Sequence, residues 1–151
     1  MTAPSSSGAT SPPSLLRPAL ALLAGLGVTV LIVGGGVLIS TLAAMRNADP
    51  HDFRPAAWYY AVNLALSALG AAAGGFATAR ITIGHSFFTV FVLALILLMS
   101  GIAPVLRGAA AAPGQPEWYP LVLALVGPVF VLVGGALERR RIAVRPSTDV
   151  R

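Results

Sequence analysis

Hydrophobic residues in this chain do not alternate with polar ones. They come in four long runs, and the charge lies in the segments between and beyond them. Residues 18–45, 55–79, 86–106 and 118–137 contain no Asp, Glu, Arg or His. Each run reaches or exceeds the roughly 20 residues that a helix needs to cross about 30 Å of hydrocarbon. In lipid the backbone must satisfy its own hydrogen bonds, so apolar runs of this length are expected as helices. Strands of a membrane barrel would alternate over about ten residues, and residues 90–99 do not. The pattern predicts an all-α, polytopic transmembrane four-helix bundle over residues 15–137, with helices near 16–45, 56–80, 84–106 and 117–138.

The ends of the chain read differently. Residues 1–14 are rich in Ser, Pro and Thr without periodicity, which predicts a disordered tail. Residues 138–151 form a basic tail. The first run resembles a signal peptide in having Arg17 before it and Ala43 and Ala44 behind it. A secretory apolar core is about 7–15 residues long, so this run is expected to remain as a membrane helix.

Composition narrows the chemistry. Hydrophobic residues make up 56% of the chain, charged residues only 10%, and mean hydropathy is +0.83. With no cysteine, disulfides, thiolate metal sites and cysteine nucleophiles are excluded. All ten basic residues are arginine. They sit at the ends of apolar runs rather than on a polar face, which argues against nucleic acid. Four spans place both termini on one side, with Arg17, Arg80, Arg139, Arg140, Arg141, Arg145 and Arg151; Arg46, Arg54 and Arg107 fall on the other. The arginine excess predicts that both termini are cytoplasmic, a conclusion that depends on the C-terminal tail.

The second and fourth runs share a layout. One reads Trp58-Tyr59, Gly74-Gly75, Arg80; the other reads Trp118-Tyr119, Gly134-Gly135, Arg139-Arg140. Two readings account for this: a duplicated hairpin related by an axis along the membrane normal, or convergence of two helices crossing one bilayer in one direction. At 1.5 Å per residue, Trp58 to Arg80 spans about 33 Å and Trp118 to Arg139 about 31 Å. Trp and Tyr favour the interface, and arginine reaches the opposite headgroups. Trp58, Tyr59, Trp118, Tyr119, Arg80, Arg139 and Arg140 are therefore assigned as interface anchors.

The second helix carries Asn63, Ser67, Gly70, Gly74 and Thr78 along one face. Gly70 and Gly74 form a GxxxG, with Ala71 and Gly75 extending the smooth surface. Small residues let membrane helices approach closely. The first helix offers a matching stripe, Ala21, Gly25, Thr29, Gly36 and Ser40, and the two stripes are expected to pack together. Asn63 is expected to bond across to another helix. Pro128 near the middle of the fourth helix deletes a backbone hydrogen bond and favours a kink; Pro104 kinks or ends the third.

Catalytic signals are missing. Coupled transporters generally carry an embedded acid or base, and the four runs hold none. His85-Ser86 lacks a third partner and an oxyanion site. His51 with Asp49 and Asp52 would make a poor cation site in a Pro-flanked loop. Gly34-Gly35-Gly36 lies inside a helix without P-loop spacing. No catalytic residue, cofactor or metal ligand is assigned. The run Glu138-Arg139-Arg140-Arg141 reads as a basic juxtamembrane tail that sets topology and is held on the inner leaflet by anionic lipid headgroups, at about 1 kcal/mol per arginine.

An aromatic pair before a span, Gly-Gly near its far end and a closing arginine together resemble small four-helix integral membrane proteins of bacteria to which no activity is attached. The resemblance covers roughly residues 15–141. It implies a bacterial plasma-membrane location and nothing catalytic. The expected function is that of a non-enzymatic multi-pass membrane protein, a scaffold or accessory subunit that packs with itself or with a larger membrane partner. The alternative is a small oligomeric channel or facilitator whose path is lined by the Asn63 face.

Overall fold

A computed structural model describes residues 16–46, 55–82, 86–107 and 115–144. Among these residues there are four helices and no strand: α1 (Leu16–Met45), α2 (Ala57–Ile81), α3 (Ser86–Leu106) and α4 (Tyr119–Ala143). All four are long and apolar enough to cross a membrane. The residues read as a disordered N-terminal tail, the 47–54 loop and the segment from Arg145 onward lie outside the described residues.

Local chemistry explains the helix ends. α2 closes where the Thr82 amide donates to the Thr78 carbonyl at 3.2 Å. The Thr82 hydroxyl donates to the same oxygen. α4 opens with Pro120 in its first turn, where a missing N–H costs nothing. Pro104 and Pro128 both lie inside their helices, and neither terminates its helix.

The fourth helix departs from expectation at its far end. It continues to Ala143 rather than stopping near residue 138. Glu and Arg are good helix formers, and Arg140 and Arg141 in the last turn complement the negative end of the helix dipole. The onset of charge at Glu138 does not mark the end of the helix. Glu138, expected at the junction of the helix and the basic tail, is a buried member of α4.

α2 is the centre of the bundle. It packs against α1 on one side and α4 on the other, and α3 lies mainly on α4 with lighter contact to α2 and α1; α1 and α4 do not meet. Glycines set these approaches. A Cβ on Gly74 would lie 2.6 Å from the Gly25 carbonyl oxygen, and one on Gly25 would lie 2.8 Å from the Gly74 carbonyl oxygen. The next residue, Gly75, turns to α4 instead, where a Cβ would lie 2.8 Å from the Val131 carbonyl carbon. Gly134 repeats this on Ala72, also at 2.8 Å, while Gly135 faces Val90 of α3. Each Gly-Gly pair thus gives one glycine to each of two neighbouring helices.

The α2–α4 interface is nearly two-fold symmetric. Gly75 meets Val131 and Gly134 meets Ala72, while Tyr60 meets Tyr119 edge to face. The pairs 60/119, 72/131 and 75/134 share one offset of 59 residues, so the two helices run parallel and in register. Outside that pair the symmetry fails, because α3 leans onto α2 whereas α1 does not reach α4.

Small residues fill the interior, and large ones cover the surface. Ala71, Ala79, Val90, Leu93, Ala94 and Val131 form the core, whereas Leu31, Leu69 and Phe88 are 76%, 65% and 74% exposed. A mantle of this kind would drive association in water. In lipid it is the expected solvent-facing surface, and close packing of small residues holds the helices together.

Candidate functional site

Three places carry polar or unusual chemistry: the α1–α2 seam, a cleft beside it, and a basin at the arginine end. In the seam, the two sequence stripes meet residue by residue. The Ser40 hydroxyl donates to Asn63 Oδ1 at 2.9 Å, and the Asn63 side chain is also in hydrogen-bonding contact with the Tyr119 hydroxyl. Thr29 donates to the carbonyls of Gly25 (2.9 Å) and Gly70 (3.3 Å). Thr78 does the same to Gly74 (2.9 Å) and Ala21 (3.3 Å). Gly36 faces Leu66, and Gly70 faces Val33. Asn63, Ser67 and Thr78 are 3%, 7% and 0% exposed, so this face is filled from within one chain.

The aromatic pairs divide their duties. Trp58 and Trp118 are about half exposed. Their neighbours turn inward: Tyr119 is buried, and Tyr59 and Thr41 share a hydrogen bond of 2.9 Å. Tyr60, which the sequence did not single out, is buried against Tyr119 with ring centroids 4.9 Å apart. At the other end Arg80, Arg139 and Arg140 are exposed. Arg139 lies over the Phe87 ring, 5.2 Å from its centroid.

Because α1 and α4 do not meet, a cleft of about 460 Å³ opens in the aromatic half of the bundle. Thr29 and Val33 line one wall, Ser100, Pro104 and Val105 the other, and Ser67 and Ala124 the floor. Its hydroxyls are largely engaged, since Ser100 donates to the Ile96 carbonyl at 2.8 Å and Thr29 bonds as above. What the cleft offers is apolar surface.

The basin at the arginine end is larger, about 800 Å³, with Arg80 from α2 and Leu137, Glu138, Arg140 and Arg141 from α4. Glu138 is 8% exposed, and its Oε2 has no hydrogen-bond partner among the described residues. Helical spacing would have found it: Val131, Gly134, Gly135 and Glu138 follow one buried stripe. Treating it as part of a charge run hid the periodicity.

Among the described residues no three His, Asp or Glu side chains gather as a metal site would need. His51, Asp49, Asp52 and His85 lie outside the described residues. No family model, curated protein or solved structure matches the chain.

Proposed function

We infer that this is a non-enzymatic, multi-pass protein of a bacterial plasma membrane, with both termini cytoplasmic, serving as a scaffold or accessory subunit. One observation supports the reading: α1 packs mainly on α2, with light contact to α3 and none to α4, which leaves beside it a cleft lined by residues of all four helices. A helix of 30 residues packed mainly on one neighbour presents a long apolar flank. The cleft beside it takes the side-chain ridge of a partner helix, in the manner of ridges entering grooves. Hydrogen bonding within the chain occupies the Asn63 face, which gives the channel alternative no support.

Photo-crosslinking in native membranes tests this. A photoreactive residue at Val33 or Val105, on opposite walls of the cleft, is expected to capture a second polypeptide. The same residue at Phe88, exposed on α3, is expected to capture lipid. Lipid adducts alone at all three positions would overturn the accessory reading.

A further inference from the structure

The basin at the arginine end presents an acceptor in its depth and donors at its rim. Glu138 lines it and is nine-tenths buried, yet among the described residues Oε2 finds no donor. A carboxylate can only accept hydrogen bonds, and leaving a buried acceptor unmade is expensive. Arg80, Arg140 and Arg141 line the same basin, but none of them bonds that oxygen. Arg139 is turned aside onto Phe87.

The carboxyl group is not what the packing requires. Applying the 59-residue offset that relates α4 to α2, the place of Glu138 is taken in α2 by Ala79, 2% exposed and part of the core. An alanine fills the equivalent position without a polar atom. α4 has a carboxyl group there, and it shares the basin with the guanidinium groups of Arg80, Arg140 and Arg141.

A ligand that suits this arrangement needs N–H donors on a cationic tip and an anionic group behind it. Phosphate matches guanidinium forks; a primary ammonium carries three donors. At about 33 Å from the tryptophan end, Arg80 lies where a bilayer presents its headgroups. We propose that the basin binds the phosphoethanolamine headgroup of a phospholipid, its ammonium donating to Glu138 Oε2 and its phosphate accepting from Arg80 with Arg140 or Arg141. A phosphoglycerol headgroup satisfies the arginines and leaves Oε2 without a charged donor. Phosphocholine has the positive charge but no N–H. The inference rests on the helices crossing a bilayer and not on any partner protein.

Native mass spectrometry of the full chain in mild detergent tests it, with dioleoyl phosphatidylethanolamine, phosphatidylcholine and phosphatidylglycerol added separately. One charge-assisted hydrogen bond predicts that the ethanolamine lipid binds about tenfold or more tighter than the choline lipid. Glu138→Gln, with helix content checked by circular dichroism, should remove that preference, and Arg80→Gln should weaken all three lipids. Soluble O-phosphoethanolamine should compete with the bound lipid, and inorganic phosphate should compete less well. Tighter binding of phosphatidylglycerol by the wild-type chain would overturn the proposal, leaving only a basic surface. Equal competition by inorganic phosphate, or an unchanged preference in Glu138→Gln, would overturn it too. The wild-type comparison does not depend on any variant folding.

Discussion

Replacing Gly75 by alanine adds one methyl group where α2 and α4 come closest. The new Cβ would stand 2.8 Å from the Val131 carbonyl carbon and 2.9 Å from its Cα. Both are backbone atoms, so no side chain can rotate away and the helices must separate. Overpacking costs about 1–3 kcal/mol, and a rigid neighbour favours the upper part of that range. Alanine returns about 1 kcal/mol through helix propensity, for a net loss of about 1–2 kcal/mol. At about 2–4 °C per kcal/mol for a chain of this size, melting in detergent should fall by about 2–8 °C. Gly27 provides the control, since it faces nothing within 4 Å. There the same methyl group should leave the melting point unchanged or raise it by a few degrees, on the same scale. Gly134→Ala should behave like Gly75→Ala. Because both widen one interface, their combined loss should be smaller than the sum. If Gly75→Ala melts no lower than Gly27→Ala, the two-fold contact between α2 and α4 is wrong.

Asn63→Leu removes the acceptor for Ser40 and the partner of the Tyr119 hydroxyl. It should cost about 1 kcal/mol in the same melting assay, and Ser40→Ala should cost less because Asn63 keeps Tyr119. The edge-to-face Tyr60–Tyr119 contact should show a coupling of about 1 kcal/mol in a double-mutant cycle with leucine at each position. Zero coupling would mean that the rings do not touch.

Most of the architecture was legible because charge brackets each span. The helix starts and ends fall within two residues of the expected boundaries wherever apolar sequence gives way directly to a loop. The boundary was missed by five residues where Glu138 to Arg141 continue the helix as good helix formers. The Asn63 face and the α1 stripe were visible as steps of three and four, which is how helical neighbours are spaced. Two features were hidden. Gly75 read as an extension of the face toward α1, although one residue turns a helix by about 100° and carries Gly75 to α4. Tyr60 was passed over because the aromatic pairs align at an offset of 60 residues, whereas the helices pack at 59. Sequence layout gives the order of anchors along each helix, but the offset at which two helices meet is set by the close approach of their glycines. The cleft and the basin depend on how the four helices tilt together, which no single run encodes.

The central claim is that α2 and α4 cross the bilayer side by side in one direction, with the aromatic ends together and the arginine ends opposite. The chain has no native cysteine, so single cysteines can be placed cleanly at Arg46, Arg107 and Val144, all exposed. Labelling of intact cells with a membrane-impermeant maleimide should mark positions 46 and 107 together and position 144 only after lysis. Labelling of 46 and 107 from opposite sides, or of 144 together with them, would contradict the four-span arrangement on which the account stands.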